Sequence, residues 1–208
     1  MKALGGVKVL DLTRALAGPY CTLMLGDYGA DVIKIEVPDK GDDSRHWGPP
    51  YLNDQSAYFL SIQRNKRSIT LNLKDPKGKD IFMQLAKSAD VVVENFTPGV
   101  VNRLGIDYGT VTEVKPDIVY ASISGFGQTG PYSHKPAYDQ IMQGLGGIMS
   151  LTGNPHDEPQ KIGVALADIG AGMLCAYAIT TALYHRELTG AGQYIDISML
   201  DLQISWLT

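Results

Sequence analysis

The sequence predicts an α/β fold, a Rossmann-like and mostly parallel sheet with helices on both faces. Two observations support this prediction. Short apolar runs alternate along the chain with longer stretches of helical periodicity, and turns rich in glycine and proline separate them. The three valines at residues 91–93 form an uninterrupted apolar run, which is typical of a strand covered on both faces.

In the first half of the chain, three runs of strand-like composition alternate with two helical stretches. The predicted strands are residues 7–12, 31–36 and 69–73, the last of which alternates apolar and polar side chains. The predicted helices are residues 18–29, with Pro19 in the first turn, and residues 75–87, opened by an Asp-Pro pair. Residues 37–55 are rich in Pro, Gly, Asp and Asn and are predicted to be a loop.

The second half continues the alternation and ends on a helical pattern. The predicted strands are residues 91–93, 118–123 and 194–198, and residues 125–136 are a predicted loop. The predicted helices are two short ones between residues 98 and 115, one around residues 138–148, and a long one over residues 168–188. Residues 199–208 have the composition of a helix still under way, so we expect this chain to be the front of a longer polypeptide.

Composition narrows the possible functions. The 208 residues are 44% hydrophobic and 19% charged, as in ordinary globular proteins, and the net charge of −4 argues against a general nucleic-acid binder. No signal peptide is evident, and we expect no apolar stretch of the ~20 residues that a membrane span needs. We therefore predict a cytoplasmic protein without a membrane partner. Cys21 and Cys175 are predicted to be buried free thiols, and the four histidines form no metal-binding pattern, so no metal is expected.

Asp168 is the first candidate for chemistry. It is the only charged residue between Lys161 and His185, at the predicted start of a helix that is apolar nearly all round. One interpretation is an N-cap aspartate that accepts backbone hydrogen bonds. The other is a nucleophile, because a helix N-terminus favours the ionised carboxylate that a nucleophile needs. The two interpretations can coexist, and the small residues nearby would let a bulky ligand come close.

Two further stretches indicate ligand binding. The basic stretch at residues 64–68, followed by Lys74, Lys77 and Lys79, suits phosphate groups, although such charge runs are commonly only solvated surface. Asn95 and Phe96 follow a predicted strand, and ligands of parallel α/β sheets bind at the carboxyl ends of strands. The glycine-rich stretch at residues 125–130 is not a dinucleotide fingerprint, because that motif belongs at the first strand–helix turn.

Taken together, these stretches resemble the family III CoA-transferases (CaiB/BaiF type), which include formyl-CoA, carnitine and succinyl-CoA-dependent dicarboxylate CoA-transferases. The resemblance runs from Gly6 to about Met199. The segments that carry it are residues 9–14 with 17–19, 29–36, 65–68, 94–99, 125–127, 167–168 and 189–193.

The resemblance implies that Asp168 is the catalytic nucleophile and that CoA is bound as a substrate, with no permanently bound cofactor. It implies CoA contacts from a set of seven residues: Ala15, Leu71, Lys74, Asn95, Phe96, Arg103 and Tyr138. It also implies an interlocked homodimer. Residues 1–208 would then be the N-terminal part of the large CoA-binding domain, and a smaller second domain with a glycine-rich loop would lie outside this chain.

Two alternatives remain at this point. The α-methylacyl-CoA racemases also resemble the sequence, but the position of their catalytic histidine is Tyr138 here, and tyrosine is a poor base at neutral pH. The chain is also compatible with an inactive CoA-binding fragment. Leu16 stands where formyl-CoA transferases carry glutamine, which argues against oxalate as the acceptor. Residues 41–50 are more similar to succinyl-CoA-dependent members that act on dicarboxylates.

Overall fold

The computed structural model describes residues 2–207, and within them six parallel strands form one sheet. The strands of this sheet are β1 (Lys8–Asp11), β2 (Asp31–Glu36), β5 (Lys66–Thr70), β6 (Val91–Glu94), β7 (Val119–Ser124) and β8 (Gln193–Ser198). A short antiparallel hairpin, β3 (Tyr51–Leu52) with β4 (Gln55–Ser56), lies apart from it. The predicted parallel sheet is confirmed.

Within the described part of the chain, seven helices lie in the connections between these strands, and an eighth follows the last strand. They are α1 (Ala17–Asp27), α2 (Ala57–Ile62), α3 (Pro76–Ala86), α4 (Val100–Leu104), α5 (Tyr108–Thr112), α6 (Asp139–Leu145), α7 (Leu166–Thr189) and α8 (Met199–Ser205). Short 3-10 turns occupy Asp43–His46 and Ile148–Leu151.

The order of strands across the sheet is β5-β2-β1-β6-β7-β8. The chain therefore builds outward from β1 in one direction, returns to the middle, and builds outward from β6 in the other. Between β1 and β6 the connections diverge, which leaves a crevice at the carboxyl ends of these two strands. Open α/β sheets bind their ligands in this kind of crevice.

Each face of the sheet carries its own hydrophobic cluster, because successive side chains of a strand point to opposite faces. Val91 and Val93 pack on one face with α1 and α7. Val92, between them, packs on the other face with α3 and the segments around α4 and α5. Because both faces are covered, the central strands are apolar without alternation, as the three valines at residues 91–93 predicted.

Helix α7 crosses the core, and small residues let it approach α1 closely. A Cβ atom added to Gly172 would lie 2.6 Å from the carbonyl oxygen of Ala17 in α1, so only glycine fits there. Cys21 of α1 and Cys175 of α7 are buried free thiols, as predicted. With 24 residues and a mean hydropathy of 1.5, α7 has the length and composition of a membrane span, which corrects the expectation that no such stretch exists. Its Gly/Ala face nevertheless packs in the core of this domain.

Three sequence predictions needed correction. Strand β5 begins at Lys66 rather than at residue 69, because the polar edge strand is anchored by its charged side chains and not by apolar alternation. The predicted loop over residues 37–55 contains the hairpin and a 3-10 turn, and α2 follows it without having been predicted. Helix α6 ends at Leu145, earlier than predicted, and residues 148–151 form the 3-10 turn.

Candidate active site

Two adjoining cavities open at the carboxyl ends of the strands. The larger, of about 720 Å³, is lined by residues that follow β1, β2, β5 and β6, among them Leu71 and Lys74. The smaller, of about 390 Å³, contains Asp168. Arg14 and Phe96 line both cavities, so the two adjoin across these side chains. A long ligand has room to lie across the crevice at the carboxyl ends of β1 and β6, the switch point of the sheet, with one end at Asp168.

Asp168 is the third residue of α7 and does not cap it. The helix starts at Leu166, its N-cap residue is Ala165, and no side chain of the N-cap bonds to the helix. The backbone N–H of Ala167 instead donates to Oδ1 of Asp139, at 2.7 Å. The N-cap interpretation of Asp168 is therefore wrong, because a carboxylate from α6 satisfies this end of α7 and leaves the Asp168 carboxylate to face the cavity.

Burial raises the pKa of Asp168 from its usual 3.8 to about 7, and the nearby charge of Asp139 acts in the same direction. The backbone N–H of Ala17 acts in the opposite direction, since it favours the charged form. The expectation that the helix terminus keeps Asp168 fully ionised is corrected. Desolvation outweighs the attraction of the helix end, so the carboxylate titrates close to neutral pH.

The N-terminus of α1 faces Asp168. Its N-cap residue is Leu16, and no side-chain hydrogen bond caps it. The close approach of α1 and α7 at Gly172 brings this uncapped terminus against the first turn of α7. Backbone N–H groups at such a terminus are oriented to interact with negative charge. The site therefore pairs the Asp168 carboxylate with the backbone N–H groups of a helix end that no side chain caps.

Polar side chains hold the turn between β1 and α1, which shapes this site. Ala15 has a φ of 63°, a left-handed conformation that is strained for alanine. Asn95 fixes the preceding residue twice: its Oδ1 accepts from the N–H of Arg14 at 2.8 Å, and its Nδ2 donates to the Arg14 carbonyl at 2.9 Å. Asp42 accepts from the Ala15 N–H at 3.3 Å. The turn is thus held by surrounding groups, although its own conformation is unfavourable.

Buried ion pairs anchor this turn to the sheet. Lys34, almost fully buried on β2, donates to the carbonyl of Thr13 at 2.7 Å and lies 2.8 Å from the carboxylate of Asp42. Asp11 at the end of β1 bonds to Lys66 at 3.1 Å. Although burial disfavours its charge, Lys66 and other nearby donors hold the pKa of Asp11 at about 2. Removing one partner of such a buried pair strongly destabilises a protein, so these pairs fix the position of the turn.

The structure brings together most of the residues that the resemblance implied. Four of them line the Asp168 cavity: Ala15, Asn95, Phe96 and Tyr138. Leu71 and Lys74 line the larger cavity, together with Phe96. Arg103 is exposed on α4 and lines neither cavity. The side-chain amide of Asn95 is occupied by Arg14, so in this structure it supports the turn.

The basic stretch at residues 64–68 does not face the cavities. Arg67 lies near the amino end of β5 and pairs with Asp31 at 2.6 Å, while Arg64 pairs with Asp27 at 2.5 Å. Lys66 is taken up by Asp11. The structure therefore gives no support to phosphate binding by residues 64–68, because their charges are compensated by carboxylates and ligands of this fold bind at the opposite edge of the sheet. Lys74, which follows them in the sequence, does line the larger cavity.

Three residues of the site were missed from the sequence. Trp47 and Tyr58 line the Asp168 cavity, with their ring centroids 5.1 Å apart in an edge-on arrangement. Burial and the charge of Asp168 raise the pKa of Tyr58 to about 12, so its hydroxyl stays protonated. Asp139 was not predicted as a site residue, because its spacing from Asp168 in the sequence does not reveal that α6 packs on the start of α7. Trp47, an aromatic residue in the Pro/Gly-rich loop, was an available signal, whereas Tyr58 lies in α2, which was not predicted.

Comparison with known proteins gives a consistent result. The sequence profile of CoA-transferase family III matches residues 4–208. Succinyl-CoA:glutarate CoA-transferase of Mus musculus is 48% identical over 208 residues, which is all of this chain and 48% of that protein. Acetyl-CoA:oxalate CoA-transferase of Acetobacter aceti is 49% identical over 203 residues, covering 97% of this chain and 52% of that one.

Solved structures agree with the sequence matches. A CAIB/BAIF family protein from Brucella suis superposes with a TM-score of 0.96 at 46% identity, covering 100% of this chain and 56% of that one. Rv3272 from M. tuberculosis superposes with a TM-score of 0.92 at 33% identity, covering 99% of this chain and 57% of that one. The chain spans about half the length of the curated relatives it matches. On this evidence the chain belongs to CoA-transferase family III.

Proposed function

We propose that the protein transfers coenzyme A from an acyl-CoA donor to a carboxylic acid, with Asp168 as the covalent nucleophile. The observation that carries this proposal is the position of Asp168, a largely buried carboxylate in the smaller of two adjoining cavities, opposite the uncapped N-terminus of α1. The family and the names of its relatives support the reaction type.

In the proposed reaction, the Asp168 carboxylate attacks the thioester carbonyl of the donor. This forms a mixed anhydride and releases CoA as a thiolate. The thiolate then attacks the aspartyl carbonyl, which leaves an aspartyl-CoA thioester and frees the donor acid. The acceptor carboxylate attacks that thioester to give a second anhydride and a thiolate. Attack of the thiolate on the acceptor's acyl carbon gives the new acyl-CoA and regenerates Asp168.

The electrostatics of the site suit this sequence. A carboxylate whose pKa is raised to about 7 is a more basic, and therefore better, nucleophile than an ordinary aspartate once it is ionised. The N–H groups at the start of α1 are available to stabilise the oxyanions that form during each attack. Both roles require a site that excludes water, because anhydrides and thioesters hydrolyse.

The two cavities suggest how CoA would lie. We place the phosphate-bearing end in the larger cavity, where Lys40 and Lys74 supply positive charge. The pantetheine arm would pass Phe96, which lines both cavities, and the thioester would reach Asp168. Arg103, one of the seven CoA contacts that the resemblance implies, lines neither cavity, so it would contact a part of CoA that extends beyond them.

Dicarboxylic acids are the proposed acid substrates. Relatives at closely similar identity are named for glutarate and for oxalate, so identity alone does not choose between acceptors. Both of these acids are dicarboxylates, and the similarity of residues 41–50 to succinyl-CoA-dependent members favours the same class. Leu16, which gives no side-chain amide to the Asp168 cavity, argues against oxalate within that class.

The racemase alternative lacks its second acid/base group in this structure. None of the four histidines lines either cavity of the described chain, and Tyr138, which occupies the corresponding position, is largely exposed. We expect no wash-in of deuterium at the α-carbon of a chiral 2-methylacyl-CoA in deuterated water. Rapid exchange would instead favour a racemase.

Assembly into a cytoplasmic homodimer is also proposed. Apolar side chains remain exposed on α7, among them Tyr177, Tyr184 and Leu188, and further ones lie around α6 and α8. Exposed apolar side chains that cluster on a surface mark interaction sites, and Tyr177, Tyr184 and Leu188 recur along α7 at the spacing of one helix face. Sedimentation of the full-length protein as a dimer is the expected result, and a monomer at micromolar concentration would contradict it.

The direct test is a substitution in the full-length protein. Asp168→Asn keeps the shape and removes the nucleophile, so transfer from succinyl-CoA to a panel of acids should fall at least about 1,000-fold while CoA binding survives. Asp80→Asn is the matched control, because Asp80 is exposed on α3 and lines neither cavity. Near-normal transfer by Asp168→Asn would overturn the proposal.

A further inference from the structure

Arg14 occupies the junction of the two cavities and lines both. Its main chain is fixed by two hydrogen bonds with Asn95, and its guanidinium lies over the ring of Phe96, 5.2 Å from the ring centroid. The residue is only partly exposed. The structure therefore holds a cation in a defined place at the mouth of the Asp168 cavity.

The charge of Arg14 has no protein partner. Four other arginines of the chain form ion pairs with carboxylates: Arg45, Arg64, Arg67 and Arg186. Arg103 is exposed to solvent. Across residues 2–207, no carboxylate lies within 4.0 Å of the Arg14 guanidinium, and no hydrogen bond of its side chain is formed. A partly buried guanidinium without a partner is rare unless a ligand supplies the anion.

The charges around the smaller cavity indicate which anion is needed. Asp43 and Asp168 line it, so a second carboxylate on the substrate would meet repulsion there. Arg14 and Lys135 are the cations of its lining within the described chain, and Lys135 is exposed with its ammonium over the ring of Tyr132 at 3.9 Å. Arg14 is thus the fixed cation of the cavity.

The phosphates of CoA are less well matched to Arg14. Lys40 and Lys74 line the larger cavity but not the smaller one, so they supply positive charge outside the cavity that contains Asp168. Arg14 lines both cavities and so shares the smaller one with Asp168, the reacting group. A guanidinium binds a carboxylate through two parallel hydrogen bonds, and the cover provided by Phe96 strengthens them.

We infer that Arg14 is the specificity-determining residue of the transferase, and that it binds the far carboxylate of a dicarboxylic acid while the near carboxylate reacts at the aspartyl thioester. This inference rests on the proposed CoA-transferase function and names the substrate class that its site selects. A monocarboxylic acid of equal length has no group to satisfy Arg14 and leaves the guanidinium unpaired.

The test compares two acceptors that differ only at their far end, glutarate and pentanoate. With succinyl-CoA as the fixed donor, kcat/KM for the acceptor reports the half-reaction of the enzyme-bound CoA thioester with that acid. Arg14→Gln removes the charge, and Arg14→Lys keeps the charge but loses the paired hydrogen bonds. Arg64→Gln is the matched control, since Arg64 is exposed on the other edge of the sheet. Melting curves check that each variant folds.

We expect Arg14→Gln to lower kcat/KM for glutarate by about 10- to 100-fold, which is the range expected for the loss of a charge-assisted hydrogen bond. The same substitution should change kcat/KM for pentanoate by less than about 3-fold, because pentanoate has no second carboxylate. Arg14→Lys should lie between, and the affinity for CoA by calorimetry should be unchanged. If pentanoate turnover is too slow to follow, its inhibition constant against glutarate replaces kcat/KM.

Three outcomes would overturn the inference. Equal losses of kcat/KM with glutarate and with pentanoate would show that Arg14 has only a structural role. If CoA affinity were lost as well, Arg14 would instead bind the phosphates of CoA. Equal use of the two acids by the unsubstituted protein would show that nothing selects the far carboxylate. Absence of transfer to any acid by the unsubstituted protein is a different failure, because it would refute the proposed function itself.

Discussion

Replacing the proposed nucleophile should stabilise the protein, because the site holds its carboxylate in an unfavourable environment. Burial and Asp139 raise the pKa of Asp168 from 3.8 to about 7. The folded state therefore binds the proton more tightly than the unfolded state does. Below pH ~4 the carboxyl is protonated in both states and costs no stability. As the pH rises through ~7, ionisation stabilises the unfolded state more than the folded state, and the full cost develops.

The magnitude follows from the shift in pKa. A difference of roughly three pKa units corresponds to about 4 kcal/mol of unfavourable free energy at pH 8, at 1.36 kcal/mol per unit. At pH 5 most of the group is protonated when folded, and the same relation leaves about 1.5 to 2 kcal/mol. These values are upper bounds, because Asp168 retains some contact with solvent.

The assay is thermal unfolding of full-length Asp168→Asn and unsubstituted protein at pH 5 and pH 8. Asparagine removes the titrating group, so the variant should melt at a higher temperature, with a larger difference at pH 8 than at pH 5. The exposed Asp80→Asn variant should show no such pH-dependent difference. A variant that is less stable than the unsubstituted protein at pH 8, or equally altered at both pH values, would refute the reasoning.

Three further results are expected. Asp139→Asn removes the charge that helps raise the pKa of Asp168, so the acidic limb of the kcat/KM–pH profile should move to lower pH; an unmoved limb would contradict this. Gly172→Ala should destabilise the protein by roughly 1–3 kcal/mol in unfolding experiments, since its Cβ would lie 2.6 Å from a backbone oxygen of α1. Gly163→Ala meets nothing within 4 Å and should be neutral. Lys74→Glu should weaken CoA binding about 10-fold in calorimetry, and an unchanged affinity would remove the phosphates from the larger cavity.

The fold was largely predictable because its signals are local. The valines at residues 91–93 predict a strand buried on both faces, and the strand and its two covered faces are confirmed. Strand β5 was misplaced because an edge strand is specified by side-chain pairs across the sheet, such as Lys66 with Asp11, which the sequence does not reveal. The same holds for the short helix α2.

The candidate site was predictable in part. Asp168 is conspicuous as a lone charge in an apolar stretch, and the cavity at the switch point follows from the strand order. The sequence predicted that the helix N-terminus favours the ionised form of Asp168, whereas its pKa is raised. The raised pKa depends on burial and on Asp139, which tertiary packing brings close. Asn95 shows the same limit: its two bonds to Arg14 join residues that are distant in the chain.

The central claim, covalent catalysis by Asp168, is tested most directly by trapping the aspartyl thioester during turnover. Full-length protein is mixed with succinyl-CoA and then with hydroxylamine, which attacks the thioester carbonyl, displaces CoA as the free thiol and leaves a hydroxamate on the aspartate. Mass spectrometry of the digested protein should place this modification on the peptide that contains Asp168, and only when the acyl-CoA was present. A modification on another carboxylate, or none in protein that turns over normally, would contradict the account.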